Sequence, residues 1–450
     1  MGPSTATTSA DLSQRQWVFA FGLVTTLFFT WGFAYGLLDV LNAHFQVIFG
    51  IDKTKSALLQ LAYFGAYFLW APIAGMIMDR RGYKFGIHLG LTLYSLGAIF
   101  FWPSAKFAKY GGFIGCTFVI GCGLSTLEVA ANSYISVLGS PKYAAARLNF
   151  SQGFQGVASV TGPLIASRFF FRGANATSLS SVQWTYLGVA GLGVVLNILF
   201  YFCHLPEIRG TTEQEPDAVN ATHQPVEPFW KQWRCVFGFV AQTGYVGAQV
   251  GVAAFAVNYF VDQGVGLDAS KASELFSLCQ MTFTIGRFVG VVLLRYIDSA
   301  LLLSIYGVGC SVFCLCVSQI PGRGGIGCFF ALFFFESICY PCIFTLGTKN
   351  LGPYTKRGSG LIVMGIGGGA WYPPAQGALA DRTFTRHSYL VPFSGYIVMS
   401  LYAIGLVVHQ ARQGGFRIRH IEEDAEDHRN SNHSLNEKDD MAHQEYTVRV

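Results

Sequence analysis

Long apolar runs alternate with short charged punctuation along most of the chain. In the first half, runs extend from Arg15 to Asp52, Lys55 to Asp79, Lys84 to Lys106, Lys109 to Lys142, Arg147 to Arg168 and Arg172 to Glu207. The second half repeats the rhythm, from Arg234 to Asp262, Glu274 to Arg295, Asp298 to Arg323, Arg323 to Lys349, Arg357 to Asp381 and Arg386 to Arg412. Each is near or above the ~20 residues that a bilayer-spanning helix needs. The pattern predicts an all-α membrane protein of twelve transmembrane helices in two six-helix bundles. Four charges interrupt the runs: Asp39, Glu128, Arg287 and Glu336. Each is costly in hydrocarbon, so each calls for a role.

Between the bundles lies "PEIRGTTEQEPDAVNATHQPVEP", Pro206 to Pro228, acidic, Pro-containing and without helical periodicity. It reads as a soluble linker. The expected organisation is an N-terminal segment 1–15, a first bundle 16–205, a linker 206–232, a second bundle 233–411 and a polar tail 412–450 that is expected to be disordered. The first residues lack the basic start of a signal peptide, so the first apolar run is expected to stay as a span.

Composition fits the class. The chain is 52% hydrophobic and 12% charged, half the charge usual in a soluble domain. Its 52 Gly suit helices that approach closely in a membrane. A net charge of +5, dispersed along the chain, gives no nucleic-acid footprint. Charge placement says more. With twelve spans both termini share a side, and sixteen Lys and Arg flank the spans there against ten on the other. The excess predicts cytoplasmic termini and linker. The glycosylation acceptor at Asn175 then falls in an external loop, which agrees.

The halves share a weak repeat. "EVAANSYISVLG" begins at Glu128 and "ESICYPCIFTLG" at Glu336, with Arg147 and Arg357 opening the next helices. Parallel duplications of this kind place substrate near the bilayer midplane, between the halves. The loop "GMIMDRRGYKFG", Gly75 to Gly86, fits the pattern Gly-x-x-x-Asp-Arg-x-Gly-x-Lys found between helices two and three of the major facilitator superfamily. Gly75 allows close packing, Asp79 can cap or pair at a helix end, and Arg80, Arg81 and Lys84 hold the loop in the cytosol. Gly82 completes the pattern as a gating loop.

The ordered series "LFFTWGFAYGLLDVLNAHFQ", "LEVAANSYISVLG", "ARLNFSQGFQ", "YVGAQVG", "FTIGRFVG", "YPCIFTLGTKNLG" and "GSGLIVMGIGGGA" resembles the fucose–galactose–glucose proton symporter family from about Phe28 to Asp381. The resemblance implies the major facilitator fold, alternating access and a monosaccharide substrate of the L-fucose, glucose or galactose class carried with a proton. It implies that Asp39 and Glu128 couple proton movement, since they match the family's two acids. Desolvation favours the neutral form of a carboxylate, so an acid that alternates between water and a closed site can take up and release a proton.

By position in the family, Asn132, Gln152 and Gln155 are candidate sugar ligands in the first half, with Gln249, Asn258 and Tyr340 in the second. Each could instead be a helix-to-helix hydrogen bond. Two departures bear on the substrate: Gly36 stands where the family often has Asn, and Ser133 replaces a Pro. The resemblance gives no role for Glu336, which reads as a buried ion pair with Arg287 of the eighth span, with a third coupling acid or a lipid- or water-facing side chain as the alternatives.

The eleven Cys lie mostly within spans and give neither a disulfide framework nor a metal site. With no phosphate loop, zinc signature or nucleophile elbow, the chain is expected not to be an enzyme. It is expected to need no cofactor beyond the proton gradient and to act as a monomer, with the plasma membrane the expected location. A sugar uniporter and a non-transporting sugar sensor on the same scaffold are the alternatives.

Overall fold

The computed structural model describes residues 12–50, 53–169, 179–203, 205–207, 228–415 and 418, with side chains outside 34–47, 53–57, 160–169, 181, 269–270 and 414. These residues form helices and no β-strand. In the first half they are α1 (Gln14–Phe49), α2 (Lys53–Arg81), α3 (Tyr83–Lys106), α4 (Tyr110–Val137), α5 (Ala144–Phe169) and α6 (Ser180–Phe202). In the second they are α7 (Trp233–Ala254), α8 (Ala256–Val261), α9 (Ala269–Tyr296), α10 (Ser299–Gln319), α11 (Gly322–Glu336), α12 (Cys339–Thr348), α13 (Thr355–Met364), α14 (Tyr372–Arg382) and α15 (Leu390–Gly414).

Helix ends follow local chemistry. Ser13 and Gln16 form a reciprocal capping box at the start of α1. Asp268 caps α9 through the Lys271 amide at 2.9 Å, and Asp298 caps α10 through the Ala300 amide at 2.9 Å. Interior breaks come with imino acids and glycine. Pro341 lies in the first turn of α12, where its missing N–H leaves no helical bond to the carbonyl four residues back. Gly365–Ala370, a glycine-rich 3-10 segment, separates α13 from α14, whose first turn holds Pro373 and Pro374.

Among the described residues, ten segments are long and apolar enough to cross a bilayer, with α11 and α12 counted as one. The protein is therefore an integral, multi-pass membrane protein whose described residues form helices. Two regions expected as spans lie outside those ten. Side chains of α5 are described only to Ser159, and Thr355–Arg382 is divided into three pieces.

Packing is dense within each half, α3 against α4 and α6, α7 and α10 against α15. A Cβ on Gly90 of α3 would meet the Leu127 side chain of α4 at 2.7 Å, so the small residue sets that helix spacing. Between the halves α2 packs on α13, and α5 on α9 and α12. There the Gly75 and Gly360 backbones face each other, and a Cβ on Gly75 would lie 2.8 Å from the Lys356 carbonyl oxygen.

Candidate functional site

The site forms where α4 and α5 of the first half meet α9 and α12 of the second. Glu128 and Asn132, one turn apart on α4, are both buried. The Tyr340 hydroxyl of α12 donates to Glu128 Oε1 at 2.5 Å and accepts from Asn132 Nδ2 at 3.1 Å. Three residues expected at the site from sequence are thus joined in one network across the halves. Asn132 and Tyr340 are 208 positions apart, the same offset that relates the two repeat segments, so repeat-equivalent residues touch each other.

Beside them Arg287 of α9 donates from Nη1 to Gln152 Oε1 at 2.6 Å, and Asn149 Nδ2 donates to the Arg287 carbonyl at 2.6 Å. The guanidinium also lies 4.7 Å from the Phe283 ring centroid. The expected ion pair of Arg287 with Glu336 is not made. Arg287 reaches into the other half, while Glu336 faces its own half and accepts a hydrogen bond from the Tyr396 hydroxyl. Charge along the chain fixes a residue's depth in a span, not the side of the helix it occupies.

The remaining expected ligands are less central. Gln155, one turn from Gln152, is half-buried, Gln249 is half-buried on α7 and Asn258 is exposed on α8. None of them bonds to the Glu128 network. Asp39 lies in α1, but its side chain is outside the described residues, as is Asn175. Sequence reasoning missed Trp31, Tyr63 and Tyr67. Trp31 Nε1 donates to the Tyr67 hydroxyl, Tyr63 donates to the same oxygen at 3.4 Å, and Tyr67 faces Glu128. Their signal was present as two tyrosines four apart on one face of an apolar helix.

Four polar atoms of this region are buried without a hydrogen-bond partner in the protein: Glu128 Oε2, Asn132 Oδ1, Asn149 Oδ1 and Arg287 Nε. An unpaired buried polar atom costs about 1–3 kcal/mol. Three acceptors and one donor suit a compact polyhydroxylated molecule, with the Phe283 and Tyr340 rings as apolar surface.

A second polar cluster binds the halves at the end carrying the α2–α3 loop. Asp79 accepts from Arg357 Nε at 2.7 Å. Gly82 adopts φ 86°, a left-handed conformation suited to glycine, and a Cβ there would lie 2.9 Å from Glu207 Oε2. The Glu207 oxygens accept from the Tyr83 amide at 3.1 and 3.0 Å, and Oε1 also accepts from Lys356 Nζ at 2.8 Å. Lys356 in turn sits 4.4 Å from the Tyr83 ring centroid. Lys84 Nζ donates to the terminal carbonyls of α6 at Tyr201 (3.1 Å) and Cys203 (3.0 Å). Arg80 is exposed. Composition places Glu207 in an acidic linker, yet it caps α3 and bridges to the other half. Glu207→Ala is expected to lower the stability of purified protein by about 1–2 kcal/mol in a denaturation midpoint. Lys356→Ala should cost less, because Glu207 keeps its capping role. Equal losses would mean the cap contributes nothing.

The Major Facilitator Superfamily family model matches residues 19–374. A glucose/galactose transporter of Brucella abortus is 32% identical over 397 residues, covering 87% of this chain and 95% of the relative. An L-fucose-proton symporter of Escherichia coli K12 is 30% identical over 388 residues, covering 82% and 88%. A crystal structure of the transporter FucP in the outward conformation aligns with a TM-score of 0.76 at 29% identity, covering 87% of this chain and 99% of that one. The inter-half site, the Gly75–Lys84 loop and these matches have one reading: the chain belongs to the Major Facilitator Superfamily of transporters and is not an enzyme.

Proposed function

We propose that this protein carries a monosaccharide of the L-fucose, glucose or galactose class across a membrane by alternating access, coupled to proton symport. Twelve spans in two pseudo-symmetric bundles, 16–205 and 233–411, leave both termini and the 206–232 linker in the cytoplasm. The plasma membrane is the proposed location, and a monomer the functional unit. Relatives named for glucose/galactose transport and for L-fucose–proton symport support the substrate class and the coupling.

The observation that carries the reading is the bond from Tyr340 of the second half to Glu128 of the first. An ionised carboxylate is the stronger acceptor for that hydroxyl, so it ties the halves together at this depth. A protonated one holds Tyr340 less firmly and can itself donate to a sugar hydroxyl. Charge state and inter-half contact are thereby linked. Asn132, Gln152 and Arg287 flank the acid as sugar ligands, with Gln155, Gln249 and Asn258 completing the candidate set. In the state described, the Asp79–Arg357 and Glu207–Lys356 pairs hold the cytoplasmic end closed, in keeping with the outward conformation of FucP.

The test is sugar-induced proton uptake in proteoliposomes, screening L-fucose, D-glucose, D-galactose, D-mannose and L-arabinose. Asp39, the second proposed coupling acid, sits two turns beyond Trp31 on α1. Asp39→Asn is expected to abolish proton-driven accumulation while the protein remains in the membrane. Uphill uptake by Asp39→Asn would remove Asp39 from the coupling path. Sugar exchange by wild type without a proton signal would replace symport by uniport. Silence in both assays from folded protein would favour a sensor.

A further inference from the structure

Glu336 is fully buried in the second half, on the last residue of α11, where the tenth span breaks before resuming at Cys339. The break frees the Glu336 main-chain carbonyl from its helical partner four residues on. The Tyr245 hydroxyl of α7 takes that place, donating to this oxygen at 2.7 Å. The Tyr396 hydroxyl of α15 donates to the side-chain Oε1, while Oε2 has no partner. Two tyrosines from two helices therefore pin one residue through both its main chain and its side chain.

The titratable groups that face it are Tyr245 on α7, Cys279 on α9, Cys310 and Cys314 on α10, and Tyr389 and Tyr396 at the start and within the last helix. None is a cation. Arg287 of α9 donates to Gln152 in the other half instead. An ionised carboxylate so deeply buried, with one hydroxyl donor and no counter-charge, is far costlier than a neutral carboxyl that accepts the same bond.

Glu336 is the repeat equivalent of Glu128, as Tyr340 is of Asn132. The two acids are used differently. Glu128 faces the other half, whereas Glu336 is anchored within its own, one helical turn before Tyr340. We propose that Glu336 is a positioning residue that keeps its proton throughout the transport cycle, its neutral carboxyl fixing the break between α11 and α12 so that Tyr340 is presented to Glu128. This rests on the proton-coupled transport reading for its consequence, but not for the protonation state itself.

The experiment therefore has two arms. In the first, infrared spectra of purified full-length protein near neutral pH are expected to contain a protonated carboxylic C=O band that Glu336→Gln removes. A spectrum unchanged by that substitution overturns the proposal, whatever the protein transports. In the second, exchange and accumulation of D-glucose, D-galactose and L-fucose are followed. Glu336→Gln, a neutral acceptor of the same shape, should stay within about threefold of wild type. Glu336→Leu should lose exchange tenfold or more, and Tyr396→Phe should fall between. The pH profile of exchange should move in Glu336→Leu in the same sense as in Tyr340→Phe, with no further shift in the double variant. Loss of accumulation with retained exchange in Glu336→Gln would make Glu336 a proton carrier, and wild-type behaviour of Glu336→Leu would remove its positioning role; either result overturns the proposal. Lack of transport by wild type leaves the infrared arm standing and fails only the functional reading.

Discussion

Glu128→Gln is expected to turn an accumulating carrier into one that only equilibrates its sugar. A driving force of 100 mV supplies about 2.3 kcal/mol per charge moved, or roughly 50-fold accumulation at ~1.4 kcal/mol per decade. That factor should collapse to about one in proteoliposomes, together with sugar-induced proton uptake. Exchange of sugar for sugar should survive, because glutamine still accepts the Tyr340 hydrogen bond and still offers donors to a sugar. Tyr340→Phe separates the parts differently. It keeps the acid but deletes a charge-assisted bond of the kind worth about 1.5–3 kcal/mol, which should weaken sugar affinity while preserving some coupling. Uphill accumulation by Glu128→Gln at wild-type levels would place the coupling proton elsewhere.

Much of this site was legible because membrane burial leaves few explanations for polarity. Glu128 stands in the middle of an uncharged run, Asn132 is one turn away, and Tyr340 is a candidate by position in the family. What the chain withholds is direction around each helix. Arg287 and Glu336 carry opposite charges in spans of one half, and pairing them satisfied the cost of burial. Their hydrogen bonds go to Gln152 and Tyr396 instead, partners that formal charge does not reveal. The helix breaks had visible signals in Pro341 and in the run from Gly365 to Pro374, but apolar length alone made those spans look continuous. Glu207 shows the opposite failure. It stands at the head of a polar linker, where composition predicts solvent, yet its position beside Gly82 turns it into an α3 cap and an inter-half bridge. Asp39, the acid that interrupts the first apolar run, keeps its role as a proposal on sequence grounds.

The contact between the halves at the α2–α3 loop end brings two glycines face to face, and filling one should shift the protein between states. Gly75 of α2 lies against Gly360 of α13. A Cβ at Gly75 would approach the Lys356 carbonyl oxygen to 2.8 Å and Gly360 Cα to 3.2 Å. Both neighbours are backbone, so no side chain can swing aside. A Cβ at Gly360 would likewise lie 2.7 Å from the Ala71 carbonyl oxygen. Overpacking of this kind costs about 1–3 kcal/mol. Because the clash lies between the halves, the cost falls on the state in which this end is closed, and each half retains its own packing. Gly75→Val should therefore depopulate the closed state by roughly 5- to 150-fold relative to the open one, with uptake falling in proportion to the lost state. Spin labels at the exposed positions Arg80 and Lys349 should report longer distances in the variant by electron–electron resonance. Gly111→Val, at a glycine with nothing within 4 Å of its Cβ position, should leave both uptake and distances unchanged. A wild-type distance distribution and normal uptake in Gly75→Val would show that the halves separate at this end without passing through the glycine contact.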